Sequence, residues 1–294
     1  MAWSKNQIGH LLYDLDDHAA AETYAREALA IARKHWGDDH LLTTSFSMLR
    51  AWILIETGEL DEAESLQRSN LEIRRADLER LLSEHDVPPA HFEVLLGQLD
   101  LPLDELNTHL ADLDTRMEDL ETRLAAQSDT PPIIRQKINL MGRTRRSLGV
   151  CLTKMGRFEE AEKQLHVAHR VQEDVDRGHR PDALRTLADL YEAWGKRDQA
   201  IAWLEQLETR QWERLQSARD AHGSDHSFVG SRQGELGETL TRLGKCEQAE
   251  QELLEADRIL RLHVSPDHPR VRRTTQALVD LKTCQDDSLN LGDQ

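Results

Sequence analysis

Apolar positions along this chain fall at three- and four-residue steps, in paired blocks joined by a short polar turn, a pattern that predicts pairs of amphipathic helices. The blocks also repeat. Residues 148–172 read LGVCLTKMGRFEEAEKQLHVAHRVQ and residues 236–260 read LGETLTRLGKCEQAEQELLEADRIL, with Leu, Gly, Leu, Thr, Gly, Glu, Ala, Glu, Leu, Ala and Arg in the same phase. Residues 8–29, 50–71 and 187–208 share that phase, so five units are visible.

Each unit predicts a helix, a turn and a second helix. The turn falls at Asp16, Gly58, Gly156, Gly195 or Gly244. Glycine takes a left-handed backbone there without steric cost, which ends the first helix, and aspartate is a tolerable substitute. Five residues further on stand Ala21, Ala63, Ala161, Ala200 and Ala249, small enough for the two helices to approach closely. One such hairpin cannot bury its apolar face alone, so neighbouring hairpins must stack. The expected fold is therefore all-α, a helix-turn-helix solenoid.

The repeat spacing roughly doubles between Arg75 and Pro132. This predicts a helical insertion over 75–132, between two N-terminal repeats in 1–74 and three further repeats with a closing helix in 133–286; residues 287–294 form a tail. Pro88-Pro89 and Pro131-Pro132 bound the inserted helical segment. Within it Leu103, Leu106, Leu110, Leu113, Met117, Leu120 and Leu124 form a heptad stripe, and Pro102 suits a helix start. Such a stripe either packs back on the solenoid or pairs with a second copy.

The order Leu148, Gly149, Leu152, Gly156, Phe158, Ala161, Leu165, Ala168 resembles the tetratricopeptide repeat. The loops WGDDH (36–40), HGSDH (222–226) and SPDHP (265–269) resemble the longer variant found in kinesin light chains. The LYEAWGK run at 190–196 is similar to arrays that follow the kinase domain of bacterial serine/threonine kinases. The resemblance implies a scaffold that binds a partner protein or peptide in a groove lined by the first helix of each repeat. It also leaves open a non-catalytic portion of such a kinase, or a structural homo-oligomer built on the heptad helix.

Carrying the family's groove positions across, the resemblance implies partner contacts at Trp3, His10, Tyr13, Trp52, Arg143, Arg146, Lys154 and Arg185. The aromatic members offer large contact area at low rotamer cost. The basic members form a strip that suits acidic partner segments. In chaperone-binding relatives Lys and Asn hold the fifth and ninth positions of the first repeat; Asn6 and His10 stand there instead, which argues against a chaperone tail.

Charge narrows the partners further. Against a formal net charge of -17, phosphate backbones and anionic lipid surfaces are repelled, so neither nucleic acid nor membrane is expected. The first fifteen residues lack the unbroken apolar run of a signal peptide, and a cytoplasmic location is the expectation.

Catalytic chemistry finds no foothold. There is no GxSxG elbow, no phosphate loop and no GxGxxG after a strand, and paired acids such as Glu159-Glu160 read as solvated helix faces. His179-Arg180-Pro181-Asp182 is superficially similar to a kinase catalytic loop, without the other kinase motifs. Fourteen histidines invite a metal reading, His222-His226 and His166-His169 above all. The Asp-His pairs at 39-40, 225-226 and 267-268, however, recur in phase with the repeat, the mark of a helix-start device with Asp, Ser or Thr as cap. No metal, cofactor or enzymatic activity is expected. Cys151, Cys246 and Cys284 are far apart along the chain and imply no disulfide framework, with Cys151 read as a small buried hydrophobe.

Overall fold

In the computed structural model Gly58, Gly156, Gly195 and Gly244 have φ between 73° and 88°, and Asp16 has φ 68°, so all five expected turns take the left-handed backbone. The structure describes residues 1–84, 131–176 and 182–292. Among them the turns separate eleven helices, and no strand occurs. Five lie before residue 155: α1 Ala2–Asp14, α2 His18–Trp36, α3 Leu41–Thr57, α4 Leu60–Glu84 and α5 Pro131–Lys154. Six follow: α6 Phe158–Asp176, α7 Asp182–Ala193, α8 Arg197–His222, α9 Ser227–Arg242, α10 Cys246–His263 and α11 Pro269–Gly292. The heptad positions Leu103 to Leu124 lie outside the described residues, as do Pro88 and Pro89.

The helices gather into two compact units, Met1–Tyr13 with Asp17–Gly178, and Asp14–Asp16 with His179–Gln294. In the first, Ala21, Ala25, Leu49 and Ile53 form a closed apolar cluster flanked by Leu12, Tyr13 and Trp52. In the second, Leu215, Val229, Leu236, Leu240, Ala249, Leu253 and Ile259 do the same. The small residues predicted after each turn are all buried: Ala21, Ala63, Ala161 and Ala249 at 0% exposure and Ala200 at 2%. Glycines face Ala161 and Ala249 from the first helix. A Cβ at Gly149 would lie 2.5 Å from Leu165 Cγ and 3.4 Å from the Ala161 carbonyl oxygen; at Gly237 it would lie 2.5 Å from Leu253 Cγ and 3.4 Å from that of Ala249. These two hairpins thus cross where neither helix carries a bulky side chain.

The Asp-His pairs open helices, as their phase predicts, but the capping atom differs from expectation. His40 Nδ1 accepts the backbone N–H of Leu42 at 3.1 Å, and His226 Nδ1 that of Phe228 at 3.2 Å. His268 Nδ1 accepts that of Arg270, also at 3.2 Å. A ring nitrogen one bond beyond Cγ reaches as far as an aspartate or asparagine oxygen, so a neutral imidazole satisfies the same orphan donor. Replacing His226 by Ala should cost about 0.5–2 kcal/mol, whereas His226→Asn should stay within a few tenths of the parent. Thermal melts of the two variants check this; an Ala variant that melts with the parent would remove the ring from the cap.

Cys151 is fully buried among Leu54, Ile55 and Ala63, and its thiol donates to the Leu60 carbonyl at 3.3 Å. Burial, reinforced by the Glu64 charge, pushes that thiol up to about 11, so it is inert as a nucleophile. Cys246 is disulfide-bonded, which corrects the expectation of no disulfide: separation along the sequence says little about separation between packed helices. Among the described residues no helix is long and apolar enough to cross a membrane.

Candidate functional site

Ring and sulfur contacts align the first helices of the first unit, with α3 between α1 and α5. Trp3 of α1, 52% exposed, meets Phe46 of α3 edge-on at 5.3 Å between ring centroids. About two turns on, His10 of α1 meets Trp52 of α3 at 6.1 Å, and the Arg143 guanidinium of α5 lies 5.8 Å from the Trp52 ring centroid. The Thr144 hydroxyl and Met48 Sδ, 3.8 Å apart, tie α5 to α3 behind that ring. Trp52 therefore has one side on the Ala21-Ala25-Leu49-Ile53 cluster and its rim among His10 and Arg143. It is half core and half surface, an intermediate position that a sequence pattern cannot resolve.

Tyr13 turns the other way. It packs on the same cluster and faces His18 at 5.4 Å, beside the start of α2. Arg146 is half-buried one turn beyond Arg143, and no carboxylate among the described residues bonds it. Lys154, at the end of α5, donates to the Ile55 carbonyl at 3.2 Å and to Glu56 at 3.0 Å. That ammonium answers the negative end of α3. Arg185 belongs to α7 in the second unit, half-buried and one turn before Asp189, whose carboxylate it attracts.

The role of Lys154 has a counterpart. In the second unit Arg242, also two residues before a turn glycine, bonds Asp189 at 2.7 Å and Glu192 at 2.9 Å on the preceding first helix. A cation at this position staples one first helix to the one before it. The signal was present in the sequence as Lys154-Met155-Gly156 beside Arg242-Leu243-Gly244, and only the acceptors were missing.

Other cations of the first unit are matched by acids. Arg50 bridges Glu22 at 3.2 Å and Glu62 at 2.7 Å, and Arg157 holds Glu64 at 2.7 Å and Glu160 at 2.6 Å. The two arginines on Glu64, Arg68 and Arg157, outweigh its partial burial and keep that carboxyl below the usual range. The row of α1, α3 and α5 therefore combines half-exposed aromatic edges with guanidinium groups. Among the described residues no group of three or more His, Cys, Asp or Glu is arranged to hold a metal. The arrangement is suited to binding an elongated, negatively charged surface by stacking and ion pairing.

The model of one family, the tetratricopeptide repeat, matches residues 1–76 and 140–211. Among solved structures, the chain is similar to the nearly identical TPR-like repeats named for a kinesin light chain of Podosopora anserina. A glutamine-to-methionine variant of those repeats shares 16% identity at a TM-score of 0.46, over 87% of this chain and 92% of that one. The form without that change gives 16% and 0.45, over 89% and 96%. An assembly chaperone of RpL4 (residues 1–338) gives 15% and 0.39, over 98% and 99%. No curated protein matches.

Proposed function

Because the chain belongs to the tetratricopeptide repeat family, whose repeats generally mediate contacts between proteins, we propose that it is a non-catalytic interaction scaffold and that the first-helix row of its first unit holds an extended, acidic segment of a partner protein. The observation that carries this reading is the contrast in charge pairing. Arg50, Arg68 and Arg157 bond carboxylates of neighbouring helices, whereas Arg146, on the strip, bonds none among the described residues. Within a chain of net charge -17, acids to neutralise Arg146 were abundant.

In this reading Trp3, His10 and Trp52 supply apolar and stacking contact, and Tyr13 holds the floor beneath them. Arg143 and Arg146 clasp carboxylates, whose flat two-oxygen head matches the guanidinium fork. Lys154 bounds the strip by fixing the end of α3. Arg185 is proposed as a separate contact of the same kind in the second unit.

The test uses a fluorescein-labelled octa-glutamate peptide, with octa-glutamine as control. The parent should bind the first and not the second, with an association rate that falls as salt rises. Reversing Arg143 and Arg146 to Glu should abolish binding while leaving the melting point in place, because neither residue anchors the apolar core. If the double variant binds as the parent does, the strip is not the site; if instead it melts early and its folded fraction still binds, both arginines belong to the scaffold.

A further inference from the structure

Between α3 and α4 a charged donor is aimed at a thioether. The Nη2 of Arg74 donates to Met48 Sδ at 3.2 Å. The Thr144 hydroxyl of α5 lies 3.8 Å from the same sulfur, but its shorter bond, at 2.9 Å, goes to the Leu140 carbonyl. Arg74 is only 4% exposed and belongs to a buried polar stripe of α4, in which Gln67 donates to the Ser147 hydroxyl at 2.7 Å and Asn70 accepts from Ser47. Those two find oxygen partners. Among the described residues Arg74 bonds no oxygen, and its Nε has no partner.

A guanidinium buried this deeply normally holds an oxygen, and a thioether is a weak acceptor. The pair is one oxygen atom short of a good match. Methionine sulfoxide carries that atom. Its oxygen is a strong acceptor bonded directly to the sulfur, and the polarity that makes a sulfoxide disruptive in an apolar core would here meet a buried cation. Met48 is also not sealed from small oxidants: it keeps 6% of its surface exposed, whereas Leu49 beside it keeps none.

We propose that Met48 is an oxidation site, converted to the sulfoxide by a hydroperoxide, and that Arg74 receives the new oxygen. In that step the sulfur lone pair attacks one peroxide oxygen, so that an S–O bond forms and the O–O bond breaks. Sulfur gives up two electrons, and with hydrogen peroxide the proton of the transferred oxygen leaves with the departing hydroxide as water. The Arg74 N–H then donates to the sulfoxide oxygen in place of the sulfur, a charge-assisted bond in place of a weak one. The folded protein therefore tolerates this oxidation, where an ordinary core methionine would not. Neither Arg143 nor Arg146 takes part, so the inference stands apart from the groove reading.

The test treats the folded protein with hydrogen peroxide, follows each methionine by peptide mass mapping, and compares melting points before and after treatment. The parent is set beside Arg74→Leu and Met48→Leu. Exposed Met1 reports the dose, and Met141, buried on α5, reports ordinary burial. In the parent Met48 should gain its oxygen while Met141 has not, and the melting point should hold. The same oxidation in Arg74→Leu should lower melting by about 4 °C, the scale of one buried acceptor left unmatched. Met48→Leu should show no shift at the same dose, which assigns the effect to this sulfur. If Arg74→Leu does not fold, parent and Met48→Leu decide between them: melting held in both supports the proposal, and a loss confined to the parent overturns it. It also falls if Met48 reacts no sooner than Met141, or if oxidised Arg74→Leu keeps its melting point as the parent does.

Discussion

A Gly237→Leu variant is expected to lose about 3 kcal/mol, the upper end of what inserting methylenes into a close-packed interior costs. A Cβ at this position lies 2.5 Å from Leu253 Cγ, a branch point that cannot swing away as a chain end could, and 3.4 Å from a backbone carbonyl. The rest of a leucine side chain has to displace α10 from α9. Gly237→Ala separates the two effects involved: alanine brings the same Cβ against Leu253 Cγ, so it should already lose stability, but less than leucine, because it adds no further atoms and about 1 kcal/mol of helix propensity offsets part of the shift. Ala249→Leu should cost about 1–3 kcal/mol from the facing side of the same crossing. Gly149→Leu and Ala161→Leu repeat the experiment in the first unit. Urea unfolding followed by circular dichroism reads all of them, and parent-like midpoints throughout would mean that the hairpins do not cross at these residues.

These crossings were legible in the sequence because the requirement is written in residue type. A left-handed turn admits few side chains, and a close helix approach admits only small ones, so Gly58, Gly156, Gly195, Gly244 and the alanines five residues on declare themselves. Asp16 is readable by the same rule, being one of the few residues that tolerates φ 68°. The histidine caps were half legible. Their phase placed them at helix starts, but sequence alone assigned the capping to the commoner oxygen acceptors, since imidazole and carboxylate offer an acceptor at the same reach.

What sequence could not deliver is the identity of partners across helices. Arg74 stands in a run of alternating charges, Glu72-Ile73-Arg74-Arg75-Ala76-Asp77, where every charged residue looks solvated. Arg75 does reach an ordinary exposed partner, Glu79 at 2.7 Å, while its neighbour is buried against a sulfur. The difference is a rotation of about 100° around the helix, and it matters only once α5 has closed over that face. Lys154 and Arg146 show the same thing at the candidate site. Both are cations on one helix about two turns apart, and the one that staples α3 is distinguished by Glu56, which lies 98 residues away in sequence.

Acidification should destabilise the first unit through His166, beginning well before carboxylates titrate. Burial on α6, with the nearby charge of His169, lowers this imidazole from its usual value to about 4. The unfolded chain therefore binds a proton near pH 6.5 that the folded chain refuses until about pH 4. Stability from this group is fully present above about pH 6.5 and is lost as pH falls toward 4, at no more than about 1.4 kcal/mol per pH unit. The full loss would approach about 3 kcal/mol, less whatever the water at the part-exposed ring edge screens. The reading is the difference between the parent and His166→Gln, which isolates this one group. Glutamine keeps a neutral polar side chain and cannot take up the proton. Urea midpoints measured from about pH 7.5 to about 4.5 should fall more steeply in the parent, with the two curves separating below about pH 6.5. Parallel curves would show that the folded protein protonates His166 as readily as the unfolded chain does, and that the ring is better solvated than its place on α6 implies.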